Sequence, residues 1–161
     1  MEYDLSILIP AIRQNRWLSL YNSLEKACKN HSWQLVLVSP FDITDELKGK
    51  NNIKLVKDYG SVSRTVQIGM INLNSNLVFV TVDDCIFSEN SIDICLEQCQ
   101  EECSYQDVIL MRYKEGSYIY TAEDYRLGHH DTFKNLNIPQ DWLSAPQFIM
   151  NKNYFIELGG F

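Results

Sequence analysis

The chain has 161 residues, 45% of them hydrophobic and 12% aromatic, enough for one well-filled core and too few for two comfortable domains. A formal charge of −7 and a pI near 4.9 argue against a protein that tracks nucleic-acid phosphates, because the scattered Lys and Arg form no basic stripe. No apolar run approaches the ~20 residues of a membrane span, and Met1-Glu2-Tyr3-Asp4 lacks the basic start of a secretory signal. The expected compartment is the cytoplasm, including the inner face of a membrane.

Residues 5–9 are a short apolar run closed by Pro10 and read as a first strand. Trp17, Tyr21, Leu24 and Cys28 then recur at helical spacing with Leu20 and Ala27 beside them, which predicts a helix over residues 15–29. Residues 34–38 predict a second buried strand, ended by Ser39-Pro40, where the proline removes a ladder donor and forces a turn. A third strand is predicted at 53–56. Gly60, Ser61 and Ser63 supply the start signals of a second helix reaching Leu73, and Val66, Met70 and Leu73 give its apolar stripe.

The fourth strand is the most informative. Residues 77–82 run without polar alternation, as in an inner strand covered on both faces, and lead directly into Asp83 and Asp84. Open α/β sheets bind ligands at the carboxyl ends of their strands. Two adjacent carboxylates there repel each other unless a cation or a set of donors joins them. A divalent cation carrying a diphosphate would serve, and an exposed turn with two solvated acids is the plain alternative.

Cys95, Cys99 and Cys103 are spaced four apart. Ile92, Cys95, Leu96 and Cys99, at i, i+3, i+4 and i+7, read as the core-facing side of an ordinary helix rather than a metal site, since Cys packs as a small hydrophobe. Five cysteines without paired spacing suit reduced thiols. Residues 107–113 and 117–121 around Gly116 resemble a hairpin. The polar stretch 122–137 reads as a functional lid. Tyr154 to Leu158 looks helical with Gly159 as its cap, and Phe161 then suggests a fold that continues past the given residues. Strands alternating with helices predict right-handed crossovers and a single α/β domain over 1–161, Rossmann-like, three-layered and mainly parallel.

A dinucleotide site would need glycines after the first strand, and residues 10–16 contain none. No phosphate-binding G-x-x-x-x-G-K-[ST] loop is present either. The first loop offers Arg13, Asn15 and Arg16, either as a solvated basic loop or as ligand contacts. Gly60-Ser61-Val62-Ser63-Arg64-Thr65 places two hydroxyls and an arginine at a helix start on the ligand-bearing side, where an anion or a nucleoside edge could dock. An ordinary helix cap with a surface arginine would look the same.

Taken together, these pieces resemble the family 2 glycosyltransferases of the GT-A fold. Leu5-Ser6-Ile7-Leu8-Ile9-Pro10 looks like their opening strand, and the helix from Gly60 to Gly69 resembles the one flanking their nucleotide. Thr81-Val82-Asp83-Asp84-Cys85 is similar to their Asp-x-Asp region, and the segment from Phe148 to Gly159-Gly160-Phe161 resembles their acceptor side. The resemblance implies a nucleotide-diphospho-sugar donor, a carbohydrate or lipid-linked acceptor, and transfer with inversion. Pro10, Ala11 and Arg13 match the loop beneath the nucleoside, Arg64 the arginine reaching the base, and Asp83 the acid near the ribose, with Ser39 and Gly60 in the donor-binding set. Asp84, supported by Asp83, would hold Mg²⁺ or Mn²⁺, hard cations suited to oxygen ligands and a diphosphate.

The chain departs from the family pattern in three places. Ser39-Pro40-Phe41-Asp42 stands where family members commonly carry Asp-Asp-Gly-Ser, so the acid expected to hold the base is missing there. Cys85, a soft ligand, occupies the third position of the Asp-x-Asp region. The usual general base would fall after Phe161, and Glu123, Asp124, Asp131, Asp141, His129 and His130 offer no spacing that singles out a substitute. Trp142 and Phe148 could stack on an acceptor sugar. Two other functions suit the same residues: a noncatalytic nucleotide-sugar-binding or assembly module, and a metal-dependent phosphohydrolase using Asp83 and Asp84.

Overall fold

Apolar strands that cannot face water on either side need helices above and below, and the chain meets that need with three layers. A computed structural model gives the fold and describes residues 2–111, 113–115, 117–120 and 147–160. In chain order the elements begin β1 (Leu5–Pro10), α1 (Gln14–Ala27), β2 (Trp33–Ser39), β3 (Ile53–Lys57), α2 (Val62–Met70) and β4 (Leu77–Val80). They continue with α3 (Ser91–Glu102), β5 (Val108–Leu110), β6 (Tyr113–Glu115), β7 (Tyr118–Tyr120), β8 (Phe148–Asn151) and α4 (Lys152–Glu157).

The main sheet has six strands in the order β3-β2-β1-β4-β8-β5. The first four are mutually parallel, with Ile7 opposite both Leu35 and Phe79. β8 runs antiparallel to both its neighbours, β4 and β5. The architecture is therefore Rossmann-like α/β with a mostly parallel sheet. Connections step outward from β1 to β3 and then return to its other side at β4, so the order reverses between β1 and β4. In open α/β sheets a crevice opens at such a reversal, outside the carboxyl ends of the strands.

One face of the sheet packs Ile7, Ile9, Leu35 and Phe79 against Trp17, Leu20 and Leu24 of α1 and Ile92 and Leu96 of α3. The other packs Leu8, Val36 and Val78 against Val66 and Met70 of α2 and Phe155 of α4. Cys95 and Cys99 face the core of the first layer, as the helical reading predicts, and Cys103 is exposed. Burial pushes the Cys28 and Cys99 thiols up to about 12, which leaves both inert.

Three expectations need correction. The predicted strand 77–82 stops at Val80: Thr81 keeps one backbone bond to Leu8, and the chain then leaves the sheet into a turn at Asp83-Asp84 across which the Cys85 thiol bonds the Val82 carbonyl. The predicted hairpin divides instead: β5 joins the main sheet beside β8, and only β6 and β7 form a separate two-stranded ribbon. Phe148–Asn151 is a strand inserted between β4 and β5, which the acceptor-side reading did not anticipate. The predicted lid and its acids, histidines and Trp142 lie outside the described residues.

Asp93, only 1% exposed, accepts the Lys29 N–H at 2.7 Å and the Asn30 N–H at 3.1 Å, with His31 Nδ1 at 3.1 Å. It thereby pins the α1–β2 loop to the first turn of α3. Burial alone would raise its pKa, but these donors together hold the carboxyl below its ordinary value. Asp93→Ala should cost on the order of 2 kcal/mol at neutral pH by removing the charged acceptor of two backbone N–H groups and of His31. Because the folded pKa is depressed, this contribution is complete above the ordinary value near 3.8 and is lost as pH falls through the folded value. Urea denaturation of both proteins from pH 7 to pH 3 checks this, and a gap that widens on acidification would contradict it.

Gly69 gives a second prediction. An added Cβ would lie 2.9 Å from Leu8 Cδ2 and 3.0 Å from Leu8 Cγ, and Leu8 is fully buried. Overpacking of this kind costs about 1–3 kcal/mol, more than the ~1 kcal/mol of helix propensity that alanine gains over glycine. Gly69→Ala should therefore lower the melting temperature.

Candidate functional site

After β4 the backbone stays tied to the sheet for one more residue, the Thr81 N–H bonding the Leu8 carbonyl at 3.1 Å. The Cys85 thiol then donates to the Val82 carbonyl at 3.0 Å and lies 3.4 Å from the Thr81 hydroxyl. This tight turn aims Asp83 back across the crevice toward the loop after β1. Asp83 Oδ2 accepts the backbone N–H of Ile12 at 2.7 Å and of Arg13 at 2.6 Å, and Oδ1 accepts Arg13 Nη1 at 2.5 Å.

Asp83 is 1% exposed and both its oxygens are committed to that loop. Asp84 faces outward. Its side chain is 46% exposed, with Oδ2 3.5 Å from Arg13 Nη1. The two acids that the sequence pairs thus have different surroundings: the inner one fixes backbone, and the outer one meets solvent beside a guanidinium. The hydrogen bond to Asp83, followed by the charges of both acids, pushes the Arg13 pKa above its already high ordinary value, so its charge is permanent.

A second cluster lies on the same rim at the end of β3. Asp58 is buried and accepts Arg64 Nε at 2.9 Å and the Gly60 N–H at 3.0 Å. The bond from Arg64 leads the effects that hold the Asp58 carboxyl below its ordinary value, against the opposing effect of burial. Ser61 caps α2 through the Arg64 N–H at 3.4 Å. A Cβ on Gly60 would sit 2.9 Å from Arg64 Nε and 3.0 Å from Asp58 Oδ2, so glycine makes room for the arginine to fold back. Sequence reasoning missed Asp58. An acid at a strand end, two residues before a glycine and six before an arginine, was the available signal.

The remaining predicted donor-binding residues occupy the rim unequally. Pro10 closes β1 and is half-buried, whereas Ala11 is fully buried with its N–H on the Val38 carbonyl. Ser39 is also fully buried, its hydroxyl accepting the Phe41 N–H at 3.0 Å. Asp42, next to the position where the family acid was expected, is exposed and paired with Lys57 at 2.8 Å. Arg13, Gly60, Arg64, Asp83 and Asp84 all lie at the carboxyl ends of parallel strands.

For Mg²⁺ or Mn²⁺ the donor set is lean. Asp83 has no uncommitted oxygen, and Cys85 is a protonated thiol whose pKa is raised by burial. Among the described residues no group of three or more His, Cys, Asp or Glu could hold a metal ion. Asp84 fits a cation that arrives with its own oxygen ligands, the usual way in which Mg²⁺ binds through one or two carboxylates plus substrate phosphates and water.

No family model matches the sequence, and no curated protein matches it. Solved structures do share the fold. S. aureus TarS 1–349 matches with a TM-score of 0.69 at 15% identity, over 97% of this chain and 49% of that one. The same fragment in complex with UDP-GlcNAc gives 0.70 at 14% identity, over 97% and 47%. The mannosyltransferase PcManGT from Pyrobaculum calidifontis, in complex with GDP-Man and Mn²⁺, gives 0.64 at 11% identity, over 100% and 48%. The chain thus spans about half the length of these solved chains.

The Asp83 geometry yields a prediction of its own. Asp83→Asn removes the charge that collects two backbone N–H groups and a guanidinium, and should destabilise the protein by about 2 kcal/mol in urea denaturation. Asp84→Asn should be near neutral, as for other exposed partners. Equal stability of the Asp83 variant and the unaltered protein would remove Asp83 from this anchoring role.

Proposed function

We propose that this chain is the donor-binding part of a family 2 glycosyltransferase that moves a sugar from a nucleoside-diphosphate donor to an acceptor hydroxyl with inversion. The observation that carries the reading is the rim at the β1–β4 reversal, where Asp83 locks the first loop and leaves Asp84 and Arg13 facing out. Fold likeness to TarS bound to UDP-GlcNAc and to PcManGT bound to GDP-Man and Mn²⁺ supports it.

In this reading the nucleoside lies over the carboxyl ends of β1, β2 and β3. Pro10 and Arg13 border it. Arg64, held at Nε by Asp58 and with a side chain 65% exposed, turns its remaining donors toward the base. Asp84 is the protein's ligand for Mg²⁺ or Mn²⁺, and Asp83 contributes by position only. When bound, the cation would neutralise charge on the departing nucleoside diphosphate. The acceptor is a carbohydrate or a lipid-linked hydroxyl, and the general base comes from outside the described residues.

A noncatalytic nucleotide-sugar-binding module is the second reading. It is favoured by the state of the described rim acids: Asp42 is paired with Lys57, Asp58 with Arg64 and Asp83 with the first loop, and Asp84, the outward one, is given to the cation in this reading. None is poised to take a proton from an acceptor. The phosphohydrolase reading loses ground for the same reason, since Asp83 is too fully bonded to act as a nucleophile.

Thermal melts with UDP, GDP, ADP and CDP, each with and without Mn²⁺, test the donor site. At least one diphosphate should raise the melting temperature, a ligand at 100 times its Kd adding about 2.7 kcal/mol. Asp84→Ala should abolish the Mn²⁺-dependent part, and Arg64→Ala should weaken nucleotide binding with little loss of fold. No shift with any of the four would end the donor-site reading. Transfer or hydrolysis of a bound nucleotide sugar then separates enzyme from module.

A further inference from the structure

Resting on the donor-site reading, we propose that Arg13 is a charge gate on Asp84, which makes the divalent cation and the nucleoside diphosphate bind together rather than cation first. The gate is built from the inside outward. Asp83 is fixed by the N–H groups of Ile12 and Arg13, and it anchors the guanidinium by one nitrogen at 2.5 Å. That nitrogen lies 3.5 Å from Asp84 Oδ2, and the Arg13 side chain is 48% exposed. A guanidinium is planar, permanently charged and carries five N–H donors, so one edge can stay on Asp83 while the rest faces outward.

A bare divalent cation approaching Asp84 meets one outward carboxylate whose attraction is partly offset by the guanidinium it shares with Asp83. Its binding is weak. A nucleoside diphosphate alone meets the opposite balance: Arg13 attracts its phosphate oxygens, while Asp84 repels them. When both arrive, the phosphates would offset the guanidinium and the cation would offset Asp84, so that each ligand removes the obstacle to the other. Such coupling is reciprocal by thermodynamic necessity. It also accounts for a chain that carries only one outward carboxylate in its Asp-Asp-Cys turn.

Isothermal titration of the full chain with MnCl₂ alone, with UDP or GDP alone, and with each nucleotide plus Mn²⁺ tests the gate. The comparison is with Arg13→Gln, which keeps a hydrogen-bonding group for Asp83 and loses the charge. Arg13→Gln should bind Mn²⁺ alone about 3- to 10-fold more tightly and nucleotide alone more weakly by a similar factor, within reach of one part-exposed charge. Arg13→Lys should restore both values toward those of the unaltered protein. A merely structural role for Arg13 would weaken both ligands together. Unchanged or weaker Mn²⁺ binding by Arg13→Gln overturns the gate, and Arg13→Met replaces that variant if melting shows it unfolded. Failure of UDP and GDP to bind the unaltered protein even with Mn²⁺ would bring down the donor reading for these nucleotides and the gate with it.

Discussion

The buried carboxylate of Asp83 is the interaction on which the rim depends. A loop leaving a parallel strand for a helix exposes N–H groups that no ladder or helical bond satisfies. Here the first helix has no side chain capping it from within, since Arg13 at its N-cap position makes no such bond. The acid at the end of β4 supplies the acceptor instead, from 70 residues away in sequence. The crevice at the strand-order reversal is therefore closed underneath by a charge-assisted bond rather than by glycine-rich backbone. This explains how the loop can dispense with the glycines a dinucleotide turn would need.

The same device recurs at β3. Asp58 takes the N–H of Gly60 and binds Arg64, as Asp83 takes two N–H groups and binds Arg13. In each case a buried acid at a strand end positions an arginine whose outer side reaches solvent. For a chain with a net charge of −7 this has a consequence. Diffuse charge would repel an anionic ligand, but two fixed guanidinium groups on one rim give local attraction without making the protein basic.

Most of the scaffold was legible in the sequence because hydrophobic period and strand-end punctuation are local. Pro10 and Ser39 mark strand ends, and Trp17, Leu20 and Leu24 mark the core face of α1. The extent of β4 was not legible, since Thr81 and Val82 have strand composition, yet the ladder ends with the Thr81 N–H and the Val82 carbonyl goes to the thiol of Cys85. Nor was the insertion of β8, whose register with Leu77 and Val80 is set by residues about 70 positions away. The candidate site was legible as a set of strand ends on one rim and less so as a division of roles. Adjacent aspartates look equivalent in sequence, and only the fold turns one inward and the other out.

That division also bears on the cysteine that follows them. At the third position of an Asp-x-Asp turn an acid would add a second outward charge beside Asp84. Cys85 instead uses its thiol as a donor to Val82, largely buried and with a raised pKa. It contributes no charge and tightens the turn that orients Asp83. Asp83, Asp84 and the one guanidinium shared between them leave this part of the rim with a single net negative charge, carried by the outward carboxylate. In the proposed reading, a dication and a diphosphate would be better bound as a pair than singly, because the cation answers Asp84 while the phosphates answer Arg13.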